Sequence, residues 1–140
     1  MKALHNLVSI NQLKKEPADA QEFAGMLRAG NTKLADARLD GLSEDSQFAL
    51  AYGSAHALSL AALRWHGYRS DNSYLVFQCL QHTLGLERAK WRVLDQCHKA
   101  RNLAEYEGHL DVNPQLLREL IAITGEIQVL VAALPPIDQA

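Results

Sequence analysis

The chain has 140 residues, 48% of them apolar, and a formal net charge of −2, which supports one domain with a real core and excludes two comfortable ones. A slightly negative charge also excludes a protein that grips nucleic acid over its whole surface. "MKALHNLVSINQLKKEP" is interrupted by His5, Asn6 and Asn11 and no run of about eighteen uncharged apolar residues follows, so a cytosolic protein with neither signal peptide nor membrane span is expected.

In chain order, residues 11–17 predict a short element broken by Pro17, which disfavours helical geometry at Glu16 and opens the next helix. Over residues 18–39, Phe23, Met26, Leu27, Leu34 and Leu39 recur at helical spacing, with Gly30 and Asn31 as a soft point or kink. "DGLSEDS" makes a turn, and Ser43 with Glu44 and Asp45 is an N-cap with acids in the first turn. "SQFALAYGSAHALSLAALRWHGY" is apolar on nearly every side and rich in small residues, which predicts a central helix with several partners, stopped by Gly67. Asp71 or Asn72 caps a helix over residues 74–83, Gly85 breaks it, and a basic helix follows over residues 87–106. Pro114 opens a last helix that ends near Pro135 and Pro136, leaving residues 135–140 as a frayed tail. No convincing strand is read. The expected fold is all-α, an antiparallel up-and-down helical bundle of about five helices in one domain over residues 1–134.

Charge is concentrated on the basic helix. Arg88, Lys90, Arg92, Lys99 and Arg101 stand against Glu87 and Asp95, giving +3 there and −5 for the rest of the chain (−2 minus +3). On this helix Leu86, Ala89, Val93, Cys97, Ala100 and Ala104 follow three- and four-residue steps and predict the inward stripe, with Arg101 beside it. Arg101 with Glu105, and Asn102 with Tyr106, are spaced four apart and read as neighbouring pairs. Elsewhere, His56, four residues after Tyr52, reads as a core histidine. "RWHGYRS" places Trp65, His66, Tyr68 and Arg69 at a helix end, where they could form a ligand lip or a dimer contact. Cys79, His82, Cys97 and His98 invite a zinc reading, but Cys97 and His98 are adjacent and point about 100° apart on a helix. Reduced, buried cysteines are expected, with no metal and no cofactor.

"ARNLAEYEG" after a basic helix, together with "FALAYGSAHALSLAALRWHGYRS" upstream, resembles the HEPN superfamily, in a branch of bacterial helical-bundle proteins. In active members an Arg, a polar follower and a His after four to six intervening residues cleave RNA without a metal, usually across a two-fold dimer. The resemblance places Arg101 as the Arg and Asn102 as the polar follower. Tyr106 occupies the place four residues after Asn102, and the nearest His, His109, lies beyond Gly108. Tyr has a pKa near 10 and donates hydrogen bonds to phosphate or stacks on bases more readily than it takes a proton. The resemblance therefore implies a homodimer that binds RNA, a nucleotide or a protein partner through the Arg101, Asn102 and Tyr106 region with weakened or no catalysis; Arg101, Asn102, Tyr106 and His109 are the catalytic candidates, and Arg69 and Lys99 are binding candidates. The alternative is a metal-independent ribonuclease, the toxin of a toxin–antitoxin pair with a nucleotidyltransferase partner.

Overall fold

A computed structural model describes residues 1–137. It contains helices α1 (Lys2–Ser9), α2 (Ala20–Ala37), α3 (Glu44–Trp65), α4 (Ser73–Gln78), α5 (Leu80–Thr83), α6 (Arg88–Glu107) and α7 (Pro114–Ala132), with two short strands, β1 (Lys14–Lys15) and β2 (Tyr68–Arg69). The fold is an all-α bundle, as the patterning predicts. Among the described residues, no helix is long and apolar enough to cross a membrane.

The central helix is α3, which packs most extensively on α2 and α7 and also touches α4, α5 and α6. Phe48, Ala51, Ala55, Leu58, Ala61 and Ala62 of α3 are buried in one core with Leu80, Leu94, Leu120 and Ile127. Small side chains explain the close approach. A Cβ added to Gly30 of α2 would lie 2.6 Å from Leu58, and Ser54 Oγ donates to the Gly30 carbonyl at 2.7 Å. Gly30 is therefore a packing position rather than the expected kink, and α2 runs unbroken across it.

Helix ends follow their sequence signals. Ser43 accepts from the Ser46 amide at the start of α3, Asn72 accepts from Leu75 at α4, and Asn113 accepts from Gln115 and Leu116 behind Pro114. Gly108 closes α6 with φ +84° and Gly67 takes φ +86° after α3. Where one helix is expected over residues 74–83, the chain instead makes α4 and α5, separated at Cys79.

The N-terminal segment departs furthest from expectation. The short element expected over residues 11–17 is the strand β1, entered through Asn11 at φ +62°, and a helix not read in the sequence, α1, precedes it over Lys2–Ser9. β1 pairs antiparallel with β2 in the register Lys14 to Arg69 and Lys15 to Tyr68, so a strand exists where none was read. A ladder of two residues is too short to show alternation. Leu4 and Leu13 anchor this segment in a second, smaller core with Leu63, Tyr68, Val76 and Cys79.

The predicted inward stripe of α6 is met at Leu86 and Cys97, which are buried, while the buried face is shifted toward larger residues. Trp91, Leu94, Asp95 and Cys97 are its buried residues, whereas Ala89 is exposed and Val93, Ala100 and Ala104 are only partly covered. Burial follows apolar area, and Trp and Leu have far more to remove from water than Ala. At the other end of the chain, Trp65 Nε1 donates to the Pro135 carbonyl at 2.8 Å, so the expected frayed tail is tied to α3 at its first residue. The rest of that tail, residues 138–140, lies outside the described residues.

Candidate functional site

A cleft of about 1160 Å³ opens along α3 between the N-terminal segment, α2 and the C-terminal half of α6. Tyr52, Gly53 and His56 of α3 form its floor, Lys14 and Lys33 approach from β1 and α2, and Arg101 and His109 from the opposite side. The cleft mixes apolar surface, including Phe48 and Leu60, with these cations and with the carboxylates of Asp71 and Glu105.

Arg101 is held by an aromatic ring. Its guanidinium carbon lies 5.2 Å from the centroid of Tyr52, and Nη2 makes a loose 3.6 Å pair with Glu105, the partner that four-residue spacing predicts. Half of the Arg101 side chain remains exposed, 49%. Tyr52 is buried, sits edge-on to Phe77 at 5.9 Å, and shares a 2.8 Å hydrogen bond with His98 Nδ1. Burial pushes the Tyr52 phenol above its ordinary value, so it stays protonated.

Asn102 completes the chain of contacts. Its Nδ2 lies 3.1 Å from His98 Nε2, so Tyr52, His98 and Asn102 form one chain of hydrogen bonds. The pairing of Asn102 with Tyr106 is not formed: Asn102 turns back one helical turn to His98, and Tyr106 is 92% exposed. Hydrogen bonding to a half-buried imidazole wins over contact with a phenol that solvent already satisfies.

His56 corrects a second expectation. It is half-buried and stands edge-on to Phe77 at 5.9 Å, but it lines the cleft instead of being enclosed in the core. Burial, then the charges of Arg101, His98 and Lys33, hold its imidazole below the ordinary value, so it is neutral at pH 7.

Arg69 reaches the cleft but is already engaged. It donates to Glu16 at 2.8 Å and to Glu22 at 2.6 Å, which also pair with the buried Arg64. Arg64 further donates to the carbonyls of Glu16, Pro17 and Tyr68 at 2.9, 2.8 and 3.3 Å. These two arginines fasten the N-terminal wall to the end of α3. The rest of "RWHGYRS" is also internal: Tyr68 is buried, and His66 Nε2 meets the Thr83 carbonyl at 3.3 Å.

Of the residues singled out in the sequence, Arg101, His109 and Arg69 line one cleft. Asn102 acts from behind through His98. Tyr106 lies outside the lining, as does Lys99, which pairs with Asp95 at 3.1 Å and is 75% exposed. Sequence reasoning missed Lys14, Lys33 and Gly53, and it did not give Tyr52 and His98 a role. The Tyr52, Gly53, His56 spacing on one helix face was the available signal. The zinc candidates do not converge: Cys79 and Cys97 sit in separate apolar cores, where burial pushes their thiols up to about 11 and about 12. No group of three or more metal-ligating side chains is found among the described residues. No family model matches the chain, and searches of curated proteins and of solved structures find no match.

Proposed function

We propose that this HEPN-like bundle binds a phosphate-bearing ligand, RNA or a nucleotide, in the cleft at Arg101, with weakened or no catalysis. The observation that carries this is the half-exposed Arg101 guanidinium, over the Tyr52 ring in the cleft with only a loose carboxylate partner, and a planar fork suits bidentate contact with phosphate. The two stretches that carry the HEPN resemblance supply facing walls of the cleft, α3 through Tyr52 and His56 and α6 through Arg101 and Glu105. The test is titration of a labelled oligoribonucleotide at two salt concentrations. Arg101→Ala and Arg101→Lys both weaken binding, because Lys lacks the planar fork, while Tyr106→Phe leaves it unchanged. Equal affinity for wild type and both Arg101 variants would overturn the reading.

A second reading rests on one observation. His109 lines the same cleft as Arg101, with a neutral His56 on its floor, so a base for the 2′-OH and a cation for the developing phosphorane charge share one space. This is the ribonuclease alternative, with its nucleotidyltransferase antitoxin as partner. Cleavage of mixed RNA in chelator, lost in both Arg101→Ala and His109→Ala, establishes it; no cleavage leaves the binding protein. Either reading includes a homodimer, and exposed Leu103 and Tyr106, one turn apart on α6, support a second copy docking there.

A further inference from the structure

Gly53 lies in the middle of α3, where glycine is a poor helix former. It ends no helix and makes no turn. Its effect is to leave room: a Cβ at position 53 would lie 3.3 Å from Lys33 Cδ and 3.5 Å from Lys33 Nζ. At Gly30 the equivalent space is filled by Leu58, an apolar core residue, whereas at Gly53 it is filled by the charged end of a lysine that lines the cleft. Helix α3 gives up local propensity here to seat an ammonium group.

That lysine is exposed and, among the described residues, enters no ion pair: the pairs take up Arg64, Arg69, Lys90, Lys99 and, loosely, Arg101, and Lys14 is likewise in none. Lys33 comes from α2 and Arg101 from α6, on either side of the α3 floor. Both are close enough for their charges to act on His56, one turn along α3 from Gly53. Asp71 and Glu105 also line the cleft, and of these two cations only Arg101 is paired, loosely, with Glu105, so an anion entering between Lys33 and Arg101 meets a charge with no carboxylate partner of its own.

We infer that Lys33, laid across Gly53, is the second cation of a phosphate-holding pair whose first member is Arg101, with Gly53 as its positioning residue. Arg101 supplies a bidentate fork and Lys33 a point charge, two complementary ways of holding phosphate oxygens. The ligand chemistry is a phosphate group on a nucleotide-sized body, and the cleft of about 1160 Å³ also offers apolar surface from Phe48 and Leu60. The inference rests on the reading of the cleft as a phosphate site.

The test titrates AMP, inorganic phosphate, and one short oligoribonucleotide with and without a 5′-phosphate against wild type, Lys33→Ala, Gly53→Ala and the double variant. Lys33→Ala weakens binding by about tenfold and lowers the slope of log affinity against log salt by about one. Gly53→Ala weakens binding in the same direction with an unchanged or raised melting temperature, since it displaces only the far end of a flexible side chain and improves helix propensity. In the Lys33→Ala background Gly53→Ala costs nothing more, because the seat has no occupant. Preference for the 5′-phosphorylated strand and binding of AMP assign a terminal phosphate; equal binding of the two strands without AMP binding assigns a phosphodiester, and both support the pair. Wild-type affinity in Lys33→Ala and Gly53→Ala, with binding lost in Arg101→Ala, overturns the pair and leaves the phosphate site standing. Failure of wild type to bind any of these probes overturns both.

Discussion

His56 and His66 are neutral imidazoles held below their ordinary value, first of all by burial. An unfolded chain takes up protons on both once the pH drops below 6.5, the ordinary histidine value, while the folded chain resists. The unfolded state then binds more protons, so stability falls with pH through the window from 6.5 down to the folded-state values and levels off beneath them. Urea denaturation at about pH 7.5 and about pH 5.5 reads this as a lower midpoint in acid, and His56→Asn shows a smaller drop. At this scale the legible contacts in the sequence were local ones. Arg101 with Glu105 follows from spacing, whereas Tyr52 and His98 are 46 positions apart, and no local spacing reports that pairing.

Elements were legible where caps and bulky periodic residues agreed, as at Ser43, Asn72 and Pro114. They were not where burial had to be shared out in three dimensions. The stripe read on α6 is buried at Leu86 and Cys97, but its Ala and Val members give way to the larger Trp91 and Leu94. The same limit hid Arg64, which the helix pattern places among apolar neighbours and which folding leaves 2% exposed. It joins α3 to the segment before α2 and to β2 through two carboxylates and three carbonyls. Replacing it by Met takes this donor from the three carbonyls and leaves the two carboxylates with Arg69 alone. Arg64→Met is expected to lower stability by about 3 kcal/mol, against less than about 1 kcal/mol for the more exposed Arg69→Ala, both measured by chemical denaturation.

For the whole molecule, the all-α class and the central place of α3 were readable from composition and small-residue content. A requirement of α3 for several partners does not by itself call for a second copy, because α2, α7 and α4 cover it within one chain. The homodimer is therefore tested on the outer face of α6: light scattering at micromolar concentration gives twice the 15.5 kDa chain mass, and Leu103→Glu with Tyr106→Glu shifts it toward a single chain. The crossing at Gly53 has an evolutionary consequence. Position 53 stays vacant only while position 33 carries a long cation across it, so drift at either site releases the constraint on the other. Related chains with Ala or Ser at position 53 are then expected to have lost the lysine at position 33 as well, and the two positions covary although they are twenty residues apart.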